Sequence, residues 1–320
     1  MIIIIKIEKG GKDMLQIAEI PFGGWARNCL ISNGRIEAVV TEEVGPRVIR
    51  LAFVGKTNLF VEMSEELGIT GGSEWHIFGG HRLWHAPEVN PRSYYPDNGP
   101  VSVEKTKEGA RFIQEIEKST GIQKEIEIKM WENENALTVI HRLTNHNLWP
   151  IELAPWALSA MAKGGMAIIP QEPYQSWSDN LLPVRPLVLW GYSEMDDPRF
   201  RWGKKYVTLK QNPQASSPNK AGFGNKQGWG AYLLGEYLFI KIASYREHAV
   251  YPDMGSSFEL YTDHRFLELE SLGPLSLLQP HGTVEHVEYW FLFEGVTAED
   301  SDESIDREVR PLVERAMSLI

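Results

Sequence analysis

Most of this chain repeats with a period of two residues. Runs of alternating apolar and polar side chains cover Gly34 to Val40, Arg47 to Val54, Ala110 to Glu117, Lys124 to Trp131 and Ala136 to Leu143. Further runs cover Gly230 to Ile242, Ser257 to Tyr261, Phe266 to Leu269 and Val284 to Phe293. A β-strand sends successive side chains to opposite faces, so each run reads as a strand with one face in a core. Turn-forming clusters separate them, as at Ser32-Asn33-Gly34, Lys107-Glu108-Gly109 and Glu132-Asn133-Glu134-Asn135. Helical spacing is confined to the end, where Ile305, Val309, Leu312, Val313, Ala316 and Met317 fall three and four apart. That predicts one amphipathic helix over 304–320, kinked or restarted at Pro311. The stretch Gln171 to Gly228, rich in Pro, Trp, Asn and Lys, reads as long irregular loops of the kind that carry a site. With no fixed-period repeat and no linker, the expectation is a mainly β fold, one large antiparallel β-sandwich over 1–320 with a short C-terminal helix.

One run carries chemistry as well as pattern. In His264-Arg265-Phe266-Leu267-Glu268-Leu269-Glu270, Leu267 and Leu269 point one way while His264, Phe266, Glu268 and Glu270 point the other. Same-face neighbours on a strand are about 7 Å apart, and like charges that close repel on a buried face. Two carboxylates kept there mark a candidate site.

Composition narrows the partners. The net charge of -11 argues against nucleic acid and anionic membrane as main partners. Cys29, the single cysteine, excludes an intrachain disulfide framework, fits a reducing compartment, and reads within Asn28-Cys29-Leu30-Ile31 as a buried strand thiol. The opening Met1-Ile2-Ile3-Ile4-Ile5 resembles the start of a signal peptide, but Lys6, Glu8, Lys9 and Lys12 end the apolar run too early. No segment reaches the roughly 18 apolar residues of a membrane span, so a cytoplasmic protein is expected. Tryptophan stands out with 11 copies, several in polar, turn-rich surroundings: Trp25, Trp75, Trp84, Trp149, Trp177, Trp190, Trp202 and Trp229. Indoles there cover a core edge or pack on the C–H face of a pyranose; as a set they point to sugar.

A second cluster, Glu74-Trp75-His76-Ile77-Phe78-Gly79-Gly80-His81-Arg82-Leu83-Trp84-His85-Ala86-Pro87-Glu88, concentrates histidines, an arginine and acids in what reads as a loop. His81, His85 and Glu88 are chemically able to bind metal, but their spacing is not that of a helical zinc motif. Hydrogen bonding to a polyhydroxylated ligand uses the same residue types without fixed coordination geometry, so neither metal nor another cofactor is expected. Tyr94-Tyr95-Pro96-Asp97-Asn98-Gly99-Pro100 and Asp196-Asp197-Pro198-Arg199 read first as turns. His248 and Tyr251-Pro252-Asp253 precede the paired-glutamate strand and are placed at the same end of the sheet, and His146 follows a strand as a weaker catalytic candidate. No nucleophile-elbow or phosphate-loop pattern occurs.

The order of these pieces resembles the galactose mutarotase-like superfamily of β-supersandwiches. Arg47-Val48-Ile49-Arg50-Leu51 with Asn58-Leu59-Phe60 is similar to the family's early strand pair, and Gly79-Gly80-His81-Arg82-Leu83-Trp84 to the Gly-Gly segment of hexose-phosphate mutarotases. Leu269-Glu270-Ser271 sits where mutarotases carry their Leu-Glu base, and Leu278 to Gly282 resembles the turn before their last strands. In that family a glutamate removes the anomeric proton while a histidine protonates the ring oxygen. The resemblance implies Glu270 as base, with Glu268 bonding a hydroxyl or raising its neighbour's pKa. The family's histidine position falls near Trp156, so His81, His85 or His248 is expected to supply the acid. Phe78 stands where the family has an arginine before Gly-Gly, and Arg82 is expected to replace it. Arg82, Trp84, His85, Glu88, Trp156 and Asp253 complete the expected sugar-binding set. Two functions follow as expectations: an aldose 1-epimerase-like isomerase, or a carbohydrate-binding protein that has lost the acid. Neither the sugar nor the oligomeric state is set by the sequence.

Overall fold

The computed structural model describes residues 15–320, so the Met1–Lys12 reading lies outside the described residues. In chain order the strands are β1 (Gln16–Phe22), β2 (Trp25–Ser32), β3 (Ile36–Thr41), β4 (Val48–Phe53), β5 (Gly80–Ala86), β6 (Ser102–Lys105) and β7 (Gly109–Ile113). They continue with β8 (Ile122–Met130), β9 (Ala136–Asn145), β10 (Ile151–Met161), β11 (Met166–Pro170), β12 (Leu187–Leu189), β13 (Phe200–Trp202) and β14 (Tyr206–Lys210). The last are β15 (Asn219–Phe223), β16 (Trp229–Leu234), β17 (Tyr237–Ala243), β18 (Phe258–Thr262), β19 (Leu267–Leu272), β20 (Ser276–Leu278) and β21 (Thr283–Phe293), before helices α1 (Asp302–Glu308) and α2 (Arg310–Ser318).

Two antiparallel sheets face each other. The first runs β1-β2-β3-β4-β5-β10-β19-β18-β15-β12, with β20 added beside β10; the second runs β13-β14-β11-β16-β17-β21-β9-β8-β7-β6. The main core lies between them and is filled by alternate residues of both, among them Leu51, Leu83 and Leu267 from the first sheet and Val139, Phe239 and Trp290 from the second. Leu269 belongs to the same core, so the face assignment of β19 holds: Leu267 and Leu269 point in, Glu268 and Glu270 out. The strand itself starts later than the run and ends later, at Leu272. Asp263 to Phe266 form a turn closed by Asp263 N–H to the Phe266 carbonyl (3.1 Å), which leaves His264 exposed outside β19.

The C-terminal helix is two helices that meet at Val309. Pro311 sits in the first turn of α2, where its missing N–H removes no helical bond. Ser301 caps α1 by accepting from the Ser304 N–H, and Ile305, Val309, Val313 and Ala316 cover the outer face of the second sheet. The stretch Gln171 to Gly228 is not wholly irregular: it contains β12, β13, β14 and β15. The supposed loop around Gly80 is also a strand. Gly79 and Gly80 adopt φ of 96° and 71°, and a Cβ there would fall 2.0 Å from the Val61 carbonyl oxygen and 2.4 Å from that of Val48. Glycine is what lets β5 start tight against its neighbours. With β5 in the sheet, β5, β10, β19, β18 and β15 lie side by side, and their outer faces form one surface.

Candidate functional site

Alternation along these five strands decides which residues share a face. On β5, Arg82 and Trp84 point outward while His81, Leu83 and His85 point between the sheets. On β10 Trp156 and Leu158 point outward and Ser159 inward; on β19 Glu268 and Glu270 point outward and Ser271 inward. Register places Leu158 beside Glu270, Glu270 beside Glu259 of β18, and Tyr261 of β18 beside both Glu268 and Lys220 of β15.

The outer face holds a cavity of about 410 Å³. Arg82, Trp84, Trp156, Lys220, Tyr261 and Glu268 come from the strands; Trp75, Glu88, Tyr94, Trp190 and Tyr192 come from loops above them. Trp190 fits over β15 because Gly222 has no side chain: a Cβ there would fall 3.2 Å from the indole and 2.2 Å from Ser256 Oγ. Arg82 lies over the Trp84 ring at 4.6 Å and over Trp75 at 5.5 Å. Lys220 Nζ sits between Trp156 and Trp190, 4.6 Å and 4.7 Å from their ring centres. Cations against indole faces are attracted by the ring quadrupole and hold the aromatic walls in place.

Carboxylates fill in behind these cations. Glu268 Oε1 accepts from Arg82 Nη2 at 3.1 Å. Burial, partly opposed by Arg82 and reinforced by Glu270, raises the Glu268 carboxyl to about 7. Glu270 is fully buried; its Oε2 accepts from Trp156 Nε1 (2.6 Å) and Lys220 Nζ (3.0 Å). Lys220 also pairs with Glu259 Oε2 at 2.7 Å, and these two carboxylates hold its ammonium well above the usual value against the opposing effect of burial. Burial drives Glu259 well above the normal carboxylate range, and Asp253 beside it is raised for the same reason.

The expected residues therefore divide. Glu268, Arg82, Trp84, Glu88 and Trp156 line the cavity. Glu270 lies just beneath it, held by Trp156 and Lys220, and Asp253 adjoins Glu259. The histidines expected to be acids do not reach it. His81 and His85 face the opposite side of β5, and His248 is exposed on a turn after β17 at φ 64°, outside the cavity lining. His85 Nε2 lies 3.6 Å from Glu117 Oε2, in a buried group completed by Lys124. His146 is 3.2 Å from Gln123, away from the cavity. Because Glu88 stays on the outer face, His81, His85 and Glu88 do not converge as metal ligands. Lys220 was missed by sequence reasoning because it lies in the stretch read as irregular; Asn219 to Phe223 does alternate in direction, but its residues are too small and mixed to announce a strand.

His81 belongs instead to a buried network joining the sheets. His141 Nδ1–H donates to the His286 carbonyl (3.0 Å), leaving Nε2 bare to accept from His81 Nε2–H at 2.7 Å. His81 Nδ1 then accepts from Ser159 Oγ (2.8 Å). Ser271 Oγ donates to Glu288 Oε1 at 2.5 Å, so it accepts from His286 Nε2–H at 2.6 Å. Lys241 Nζ pairs with Glu288 Oε1 (3.0 Å) and donates to the Leu269 carbonyl (3.0 Å), while Trp290 Nε1 donates to Glu288 Oε2 (2.7 Å). His81, His141 and Glu288 also bring one ligand atom each within 4.8 Å of one another, a donor set suited to a transition metal. Here those groups are joined by protons, and the ammonium of Lys241 beside Glu288 opposes a dication.

This network predicts acid lability. Burial lowers the pKa of His81, His141 and His286, the last to about 3, so each stays neutral in the fold where an unfolded imidazole titrates near 6.5. A depressed histidine contributes stability above the unfolded value and loses it as pH falls toward the folded one. Glu268 and Glu259, raised in the fold, act in the opposite sense down to about 4.5, below which they are protonated in both states. The loss therefore steepens below pH 4.5, where Glu288, lowered in the fold, adds to the histidines, and it continues toward about 3, where His286 titrates, with a slope of about 1.4 kcal/mol per pH unit for each group involved. Urea melts across that range check it; a flat profile contradicts neutral buried imidazoles.

The described residues form a two-sheet antiparallel sandwich with an aromatic and carboxylate-lined cavity on one outer face. Its architecture is that of galactose mutarotase-like proteins. A galactose mutarotase-like protein from Lactobacillus casei ATCC 334 superposes with a TM-score of 0.56 at 11% identity, covering 83% of this chain and 100% of that one. Another, from Clostridium acetobutylicum, gives a TM-score of 0.53 at 11% identity over 88% of this chain and 100% of that one. A TPR-domain containing protein from Parabacteroides distasonis ATCC 8503 matches with a TM-score of 0.56 at 14% identity over 85% of this chain; the chain spans about half, 48%, of that protein's length. At these identities the likeness is one of fold. No protein-family model matches the sequence, and no curated protein matches it.

Proposed function

We propose that this protein binds a monosaccharide in the outer cavity and interconverts its anomers, as an aldose 1-epimerase-like isomerase. The observation that carries this reading is Glu268, a cavity carboxyl raised to about 7 among indole and phenol rings. Opening a pyranose requires a proton to leave the anomeric hydroxyl and another to reach the ring oxygen. A neutral carboxyl does both at once: it donates through its O–H and accepts through its other oxygen, ending unchanged. That removes the need for a histidine at the place occupied by Trp156. Arg82, which donates to Glu268 Oε1 from Nη2, fixes the orientation of that carboxyl. Trp84, Trp156 and Trp190 offer faces for the C–H side of the sugar ring.

A second reading, a carbohydrate-binding protein without turnover, is favoured by the hold of Trp156 and Lys220 on Glu270, the base expected from resemblance. Exchange-spectroscopy NMR of equilibrated aldoses, with a binding titration on the same samples, separates the two. Faster anomer exchange supports the isomerase; binding without acceleration selects the second reading, and neither effect removes both. A cytoplasmic setting and a small-molecule sugar as partner, rather than nucleic acid or membrane, belong to the same proposal. The net charge of -11 supports the choice of partner, and the lone, buried Cys29, its thiol pushed up to about 12 by burial, fits a reducing compartment. Among the described residues no helix is long and apolar enough to cross a membrane.

A further inference from the structure

Arg82 is overfurnished for its one visible partner. Its side chain is 3% exposed and lines the cavity, yet only Nη2 is engaged, by Glu268. Among the described residues Nε and Nη1 are buried without a hydrogen-bond partner, and so is Nε1 of Trp75, whose ring lies against the guanidinium. Burying N–H groups of a cation unpaired costs more than burying neutral ones, so a site that keeps them is completed by an acceptor. Both residues line a cavity large enough for a monosaccharide.

We infer that Arg82 and Trp75 form a carboxylate subsite and that the ligand of this cavity is a sugar acid of the uronate class. A carboxylate accepts only, is planar, and suits a guanidinium fork. In a uronate that carboxylate is carried on C5, the carbon bonded to the ring oxygen. One guanidinium holding Glu268 through Nη2 and the ligand carboxylate through its remaining N–H groups therefore brings the ring oxygen toward the Glu268 carboxyl. A phosphate dianion fits less well, because Glu88 and Glu268 stand in the same cavity and the other cations among the described lining residues are engaged: Lys220 by Glu259 and Glu270, and Arg265 by Asp263.

This inference rests on the proposed sugar site and is separable from it. Isothermal titration is carried out with glucose, galactose, glucuronate, galacturonate and glucose 6-phosphate. The uronates are expected to bind at least ten-fold more tightly than the parent hexoses, with proton uptake that shows as a dependence of the measured heat on buffer ionisation. Arg82→Lys keeps the charge but loses the fork, and Trp75→Phe loses only the indole N–H; each should reduce the uronate-to-hexose affinity ratio, a ratio in which any loss common to both sugars cancels. A wild-type ratio near one, or glucose 6-phosphate binding more tightly than either uronate, overturns the carboxylate subsite and leaves the sugar site standing. Absence of binding by every sugar overturns both.

Discussion

Lys241→Met should destabilise the protein by about 3–5 kcal/mol, the usual consequence of removing one partner from a buried ion pair. Lys241 and Glu288 are both fully buried, and the ammonium also serves the Leu269 carbonyl, so methionine strands a carboxylate charge and a backbone acceptor together. Glu288 keeps Ser271 and Trp290 as donors, which places the effect toward the lower end. The double variant Lys241→Met with Glu288→Leu should recover much of the loss, because the stranded charge is gone. Equilibrium urea denaturation of the two singles and the double measures the coupling. A single-variant loss below about 1 kcal/mol would mean that the pair is solvated in solution.

Glu268→Gln is expected to lower the rate of anomer exchange by about 10²–10⁴-fold, the range associated with a positioned acid or base. Glutamine keeps the shape and accepts from Arg82, but it has no acidic proton to give. Sugar affinity should change only a few-fold. With the Glu268 carboxyl near 7, the wild-type rate should decline as pH rises through that value, since the neutral acid is the active form. Glu270→Gln makes the sharper contrast: it should keep a pH profile set by Glu268 but move it to lower pH, because the Glu270 charge is one of the causes that raise Glu268. If Glu270→Gln abolishes that profile while Glu268→Gln preserves it, the roles of the two carboxyls are reversed.

Much of the architecture is written in the period-two pattern, because antiparallel strands with one buried face must alternate. Leu267 and Leu269 enter the core for this reason, and Glu268 and Glu270 face away from it. The same rule was available at Gly80 to Ala86, where it separates Arg82 and Trp84 from His81 and His85. Glycines before it and Pro87 after it make the segment look like a loop, and every residue of β5 is buried, so the polar-out signal is absent. Buried histidines and buried arginine are chemically alike to a reader of composition; only the facing sheet tells them apart. His81 meets His141, which is 60 residues away and on the opposite sheet. Lys220 is legible only after β18 and β19 have placed Glu259 and Glu270 beside it.

The strands that build the cavity carry their two kinds of side chain back to back. Arg82 follows His81, Leu158 precedes Ser159, and Glu270 precedes Ser271; the first of each pair faces the cavity side and its partner locks into the inter-sheet network. A change of ligand preference made on those strands must therefore be compatible with two surfaces at once. Trp75, Glu88, Tyr94, Trp190 and Tyr192 carry no such double obligation, since they reach the cavity from outside the shared strands. Diversification in the laboratory or in nature has a fixed floor and an exchangeable rim to work with, and new specificities should arise at the rim while the floor stays as it is.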